Sequence, residues 1–296
     1  MLKIERIICP VDFSEYSAKA YDYAYSLAKH YGAKLFLEHV VQPLSATYPY
    51  YTYPDPAAYD VLYWDLSADA EKRLKELATS HGRNGLEPEW VIRKGLASDA
   101  ILSFAEEQSA SLIVMGTHGR RGLDRVAMGS VTERVLRKAH CPVLAVRKPS
   151  HDFVDPGERR DPVSLHKILL CTDFSEHSLR ATDYAVSLAM EYNAELTLLH
   201  VLEGLPDSAD VQSATREALD ALEKPIPPDA RNWCTIKSVV RIGKPYQEIV
   251  QLALEAQTDL VVLGVRGRNA LDLALFGSTT HRVLQLGSCP VLAVHV

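Results

Sequence analysis

Apolar runs of strand length alternate with helix-period stretches through the first half of this chain, and the order then starts again. Ile4 to Val11 is an apolar run that breaks at Pro10-Val11-Asp12, as a buried strand does where it leaves the sheet. A helix capped by Ser14 or Ser17 follows, with Tyr21, Ala24, Tyr25, Leu27 and Ala28 on one side. Gly32 stops it, and Asn193 stands at the equivalent place later on. Gly and Asn are the two residues that tolerate the left-handed position after a helix. Lys34 to Val41 is the next strand. Helix spacing resumes at Leu66, Ala70, Leu74, Leu77 and Ala78 and ends near Gly82. Leu86 to Arg93 reads as a strand, and Ser98 caps a short helix reaching Gln108. Strand Leu112 to Gly116, a loop, a helix from Ser130 to Ala139 and a strand from Pro142 to Arg147 complete the unit. Five strands alternating with four helices predict an α/β fold: a doubly wound, open parallel sheet with helices on both faces.

Arg147 to Asp161, RKPSHDFVDPGERRD, is polar and rich in proline and charge, and reads as a linker. After it Lys167 to Thr172 forms a strand, and Asp173-Phe174-Ser175-Glu176 repeats Asp12-Phe13-Ser14-Glu15. The offset between copies is 161 residues at Asp12 and Asp173 and 148 at Gly116 and Gly264, so the second copy is 13 residues shorter. The difference falls between the second and third strands. There the first copy carries Pro43 to Asp65, PLSATYPYYTYPDPAAYDVLYWD, a tyrosine- and proline-rich insert that either covers a site or docks a partner, or packs as a loop on its own domain. The second copy has a helix from Val211 to Leu222, the loop KPIPPDARNW and a strand from Thr235 to Ile242. The expected domains are 1–148 and 165–296, joined by 149–164, each long enough to bury a core.

Composition narrows the function. A formal net charge of −6 argues against a surface that coats nucleic acid. The five cysteines include no C-x-x-C pair and mostly fall in apolar runs, which predicts buried thiols in a reducing compartment. The N-terminus shows no signal-peptide pattern and no apolar run approaches the length of a membrane span. The expectation is a cytoplasmic protein with no membrane partner.

One stretch carries chemistry. Gly116 ends an apolar run, Gly119 follows, and nine residues later Gly129-Ser130 opens a helix; Gly264, Gly267, Gly277 and Ser278 repeat the spacing. Glycines at a strand exit let backbone N–H groups approach a ligand closely. A helix start aims unsatisfied N–H groups and the positive end of the macrodipole at the same spot. The Ser130 hydroxyl can cap the helix or bond a phosphate oxygen. Cationic side chains lie between, at Arg120, Arg121 and Arg125 and at Arg266 and Arg268. The bland alternative is that these glycines serve tight turns and helix packing alone. His39 and His200 at strand ends read as satisfied core-edge histidines, not metal ligands. His118 can touch a phosphate, but Arg266 replaces it in the second copy. Cys141-Pro142 and Cys289-Pro290 read as strand-start packing. The lysine-bearing phosphate loop, zinc-helix, nucleophile-elbow and kinase motifs are absent, so binding is favoured over fast turnover.

These residues resemble the universal stress proteins in their tandem, two-domain form. Both copies carry that family's ATP-associated signature: glycine, two residues, glycine, nine residues, glycine, Ser or Thr. The resemblance implies a five-stranded sheet of order 3-2-1-4-5 in each copy. It further implies ATP as ligand, with Mg²⁺ only as a companion of the phosphates, and leaves ADP or AMP open. In the first copy Pro10, Val11 and Asp12 would line the adenosine pocket and Val40 would meet the adenine through its backbone. Met115 and Gly116 would flank the ribose, Gly119, with Arg120 beside it, would approach the phosphates, and Gly129, Ser130 and Val131 would hold them. The second set is Thr172, Asp173, Val201, Leu263, Gly264, Gly267, Arg268, Gly277, Ser278 and Thr279. For Asp12 and Asp173 helix capping is the competing role. The family also implies that the last strands of the two copies meet, making an intramolecular pseudo-dimer, with association of two chains beyond that open. The implied function is a non-enzymatic stress-response or signalling module; the alternative is a slow ATPase, a self-phosphorylating protein or a nucleotidyl transferase.

Overall fold

A computed structural model of the chain describes residues 2–42, 56–80, 86–119, 128–147, 152–157, 162–204, 210–265 and 277–295. In the first copy β1 (Arg6–Pro10), α1 (Glu15–Tyr31), β2 (Lys34–Val41), α2 (Pro56–Thr79), β3 (Glu89–Lys94), α3 (Ala97–Glu107), β4 (Leu112–Gly116), α4 (Ser130–Lys138) and β5 (Val143–Val146) follow in order. The second repeats it with β6 (Lys167–Cys171), α5 (Glu176–Tyr192), β7 (Glu195–Leu202), α6 (Val211–Glu223), β8 (Ile236–Ile242), α7 (Pro245–Glu255), β9 (Leu260–Gly264), α8 (Ser278–Leu286) and β10 (Val291–Val294). The ten strands form one sheet of order β3-β2-β1-β4-β5-β10-β9-β6-β7-β8. Each half therefore has the 3-2-1-4-5 order, parallel throughout, and the α/β class is as expected.

Where local chemistry suffices, the helix ends match the sequence. Ser14 and Ser175 are N-caps that accept from the N–H groups of Ser17 and Ser178. Gly32 and Asn193 end the same helices in the left-handed region, at φ 64° and 50°. Two expectations are corrected. Leu96, not Ser98, is the N-cap of α3 and makes no side-chain cap; the buried Ser98 hydroxyl instead accepts from Arg134. Helix α2 begins at Pro56, within the tyrosine-rich insert, so the last ten residues of that segment are helical. Proline suits a first helical turn because the missing N–H has no partner there anyway. The rest of the insert, 43–55, lies outside the described residues.

The repeats meet along β5 and β10, which pair antiparallel with Val291 opposite Ala145 and Leu292 opposite Leu144. Both strands are fully buried, and neither leaves an open apolar edge. Around this seam the contacts are reciprocal. Arg147 after β5 reaches the Gln285 and Gly287 carbonyls at the end of α8, and its counterpart His295 lies 2.6 Å from the Leu136 carbonyl at the end of α4. His30 pairs with Glu191 at 3.0 Å. Those two positions correspond between copies, so a symmetric pairing of identical domains would bring like residues together instead.

Apolar residues gather into two clusters divided by sheet face and not by copy: each contains side chains from both halves. One lies under α1 and α5, the other under α3, α4, α7 and α8. The connecting segment adds to the first. Phe153 and Val154 are buried, Val154 bridges antiparallel to Val163, and Phe153 packs edge-on against Tyr23 at 4.9 Å. Asp152 accepts from Tyr23 at 2.9 Å and from Lys19 at 2.5 Å. What the polar sequence presents as a linker is partly core. Phe153→Ala is expected to cost about 3–5 kcal/mol in urea unfolding; a change below about 1 kcal/mol would mean the segment only spans the gap. No helix among the described residues is long and apolar enough to cross a membrane.

Candidate functional site

In each half the chain leaves the central strand in one direction and later returns to its other side, so a crevice opens at the carboxyl ends of β1 and β4, and of β6 and β9. Open α/β sheets bind ligands at this switch point. The glycine signature lies on it. Thr117 N–H donates to the Val146 carbonyl at 2.9 Å and Gly129 N–H to the Thr117 carbonyl at 2.8 Å, closing a neck from which the loop departs and to which it returns. Thr132 Oγ1 ties the helix to the Gly116 carbonyl at 2.9 Å. The second copy has the same three bonds, through Val265, Gly277 and Thr280, at 3.0, 3.4 and 3.1 Å.

The neck changes which amides are available. The Gly129 N–H, expected to face phosphate, is used inside the loop, and Glu133 N–H already closes the first helical turn onto the Gly129 carbonyl. The first-turn amides of Ser130, Val131 and Thr132 are left, and Gly129 as N-cap supplies no side-chain partner for them. Gly277 does likewise for Ser278, Thr279 and Thr280. Ser130 and Ser278 are exposed, each the first residue of its helix and not its cap.

The other signature glycines divide by role. At Gly116 a Cβ would lie 2.9 Å from the Tyr16 backbone, and at Gly264 2.7 Å from that of His177. These positions serve close packing of helix on strand, the bland alternative. Gly264→Ala is expected to cost about 1–3 kcal/mol in denaturant titration, and an unchanged midpoint would contradict the contact. At Gly119 a Cβ would instead fall 2.7 Å from Asp12 Oδ2, so this glycine keeps room above a carboxylate. Arg120, Gly267 and Arg268 lie outside the described residues, as do Arg121, Arg125 and Arg266.

Asp12 sits where its strand ends. Its Oδ1 accepts from the Ser14 N–H at 3.0 Å and the Ser14 hydroxyl at 2.6 Å, and Asp173 accepts from Ser175 N–H at 3.1 Å. Both carboxylates thus hold the turn into the helix, the competing role named above, while the second Asp12 oxygen faces Gly119. Between aspartate and helix, Phe13 and Phe174 take φ 62°, a region that costs a residue with a Cβ. Their rings pack on His39 and His200 at 4.6 and 4.4 Å, and these histidines place Nδ1 2.7 and 2.8 Å from the Val11 and Thr172 carbonyls. The strained phenylalanines escaped the sequence reading, although the repeated Asp-Phe-Ser-Glu was a signal for them.

Pro10, Val40 and Met115 share one face of the sheet beside Asp12 and Gly116, with Val11 buried between β1 and α1. Val201 and Leu263 occupy the matching places beside Thr172 and Asp173. His118 is buried against Tyr16 at 4.9 Å, with Nδ1 2.9 Å from Thr117 Oγ1 and no partner for Nε2 among the described residues. Burial first, and the positive charge of Arg147 second, hold its pKa below the usual value. The described residues contain no group of three His, Cys, Asp or Glu able to hold a metal. All five cysteines are buried thiols, and burial raises the Cys141 and Cys289 pKa values to about 12, which fits packing and not reactivity.

A family model described as the universal stress protein family matches residues 3–147 and 164–295. The chain belongs to the universal stress protein family. A universal stress protein of Mycobacterium tuberculosis, Rv2005c, is 30% identical over 272 residues, covering 87% of this chain and 86% of its own. One of Methanocaldococcus jannaschii, MJ0531, is 33% identical over 148 residues, 50% of this chain and 85% of its own. A universal stress protein structure from Archaeoglobus fulgidus shares the fold, with a TM-score of 0.72 at 22% identity over 98% of this chain and 97% of that one.

This universal stress protein has one further residue, beside Pro10 and Val40, that its sequence did not flag. Glu38 on β2 is fully buried, and neither carboxyl oxygen has a hydrogen-bond partner among the described residues. Burial pushes its pKa up to about 8 against a weaker opposing pull from Arg93. The second copy has Leu199 in its place. Only comparison of the copies position by position would have exposed it.

Proposed function

We propose that each repeat binds one adenine nucleotide, ATP with Mg²⁺ as companion of its phosphates, in the crevice beside its glycine loop. The observation that carries this reading is the duplicated neck, which leaves three first-turn amides and a hydroxyl at the positive end of a helix without a capping side chain among the described residues. Room kept over Asp12 by Gly119 supports it. In the first repeat Pro10, Val11, Asp12, Val40, Met115 and Gly116 would line the adenosine part. Gly119, Arg120, Ser130 and Val131 would meet the phosphates, with Gly129 shaping the approach. Thr172, Asp173, Val201, Leu263 and Gly264, then Gly267, Arg268, Gly277, Ser278 and Thr279, form the second set. A bound nucleotide would supply a polyanionic tail, and what the chain supplies is amides, hydroxyls and a dipole. The groups repeated at the two necks are hydroxyls, so the function is that of a non-enzymatic stress-response module whose occupancy shifts a conformational or assembly equilibrium.

The same reading makes the repeats an intramolecular pseudo-dimer, supported by the β5–β10 pairing and the reciprocal contacts of Arg147 and His295. Acid release from freshly purified protein, with calorimetry on the stripped chain, tests the proposal. Two adenine nucleotides per chain are expected; the absence of both released nucleotide and binding heat would overturn it, and many turnovers of labelled ATP would favour the slow ATPase.

A further inference from the structure

Glu38 occupies the row Pro10–Glu38–Val91 across β1, β2 and β3. Strand alternation puts it on the same face as Phe36 and Val40, the face that also carries Met115. Two members of the adenosine-lining set, Pro10 and Val40, are therefore its immediate neighbours, one across the sheet and one along the strand toward the crevice. The side chain is 0% exposed, and neither oxygen has a hydrogen-bond partner among the described residues. A buried group of this kind calls for a partner, since almost all buried polar groups have one.

Nothing around it among the described residues supplies one. Among the described residues the charged groups on this face are Arg93 of β3, Glu107 of α3 and Arg134 of α4, and the first two are bound to each other through two bonds of 2.6 and 2.8 Å. Arg241 and Glu255 occupy the corresponding positions in the second copy, so the pair does not depend on a carboxyl at Glu38. From β1 the face receives Ile8 and Pro10, and from α4 Arg134, which reaches Ser98. Nor does the fold need a polar group there: Leu199 fills the matching position at 1% exposure within the same apolar cluster.

We infer that Glu38 is the base-reading residue of the first site, its carboxyl meeting the 6-amino group and adjacent ring nitrogen of adenine, and that the second site, with Leu199, lacks such a reader. This rests on the nucleotide-binding reading above and adds specificity to it. A protonated carboxyl presents one O–H donor and one acceptor oxygen, and adenine presents an acceptor nitrogen beside an amino donor. Ionised, the carboxylate only accepts and the ring nitrogen loses its donor. The two sites thus differ in chemistry although their phosphate loops match.

The test uses the full chain with one site disabled at a time. In a Gly277→Asp background, ATP calorimetry reads the first site. Glu38→Leu is expected to weaken binding there about tenfold or more, the loss of a buried hydrogen-bonded contact. Glu38→Gln, whose amide keeps a donor and an acceptor, should stay within about threefold of the parent. Raising the pH from 6.5 to 9 should weaken the parent and not the Gln variant. In a Gly129→Asp background the second site should ignore both the Glu38 substitutions and this pH change. ATP binding at the first site that is indifferent to Glu38→Leu would overturn the inference while leaving nucleotide binding intact. Failure of the unsubstituted chain to bind ATP would overturn both.

Discussion

Gly129→Asp combined with Gly277→Asp is expected to abolish nucleotide binding while leaving the chain as stable as before. Both glycines are N-caps with negative φ, −64° and −55°, so neither needs glycine for its backbone conformation. A Cβ at Gly129 would have its nearest neighbour at 3.4 Å, an ordinary contact. Aspartate is among the best N-cap residues, and replacing glycine by it changes helix stability by only a few tenths of a kcal/mol, in the favourable direction. The same carboxylate would accept from the first-turn amides and place a negative charge where the phosphates are proposed to lie. Like charges near 4 Å repel by about 1–4 kcal/mol between bulk-water and near-surface screening, so a loss of roughly 100-fold or more in affinity is expected. Calorimetry with ATP and a thermal melt of the double variant read the two halves of the prediction. Retained affinity with an unchanged melt would place any nucleotide elsewhere on the molecule.

Stability should fall as pH rises from about 4.5 to about 8, and Glu38 is the reason. Its carboxyl has an ordinary value of 4.5 in the unfolded chain and about 8 in the fold. Between those limits the folded chain holds a proton that the unfolded chain has released. Folding takes up a proton, and each rise in pH works against it by up to about 1.4 kcal/mol per unit. Below the window both states are protonated and the full stability is present; above it both are ionised and the loss is complete. Glu38→Leu, with Leu199 as its precedent, removes this slope. It also removes a buried carboxyl that has no partner among the described residues, so the variant should be more stable at pH 7 by about 1–3 kcal/mol or more. Urea titrations of parent and variant at pH 5, 6.5 and 8 isolate the group, because other carboxylates contribute equally to both. Glu107 pulls the opposite way: its pairing with Arg93 and Ser103 lowers its pKa to about 2, and that stability is lost as the pH falls toward this value. Parallel pH profiles in parent and variant would show that Glu38 has found a partner.

The α/β class and the two repeats were legible because they are written in short-range patterns, whereas the strand order of each half came only from the family resemblance. Lys34–Val41 reads as a strand and is one, and Gly32 and Asn193 mark the ends of α1 and α5 because the left-handed position selects those residues locally. Helix α3 shows where such reasoning stops. Ser98 has the right type for a cap, but packing beneath Arg134 claims its hydroxyl and the helix begins two residues earlier. The Pro56 start of α2 was hidden among prolines and tyrosines that carry turn signals as strong as the helical one.

The sequence by itself determined the class of fold, the duplication and the glycine spacing, since each is a local pattern or the recurrence of one. The tertiary structure decided how those parts are used. It brought Asp12 to Gly119, spent the Gly129 N–H on the Thr117 carbonyl, and merged the two copies into one sheet whose cores follow its faces. It also turned Phe153 of a polar segment inward and left Glu38 without a partner among the described residues. Partners remote in sequence exist only once the strands are in register, and whether a polar atom is satisfied is a property of that arrangement and not of the residue.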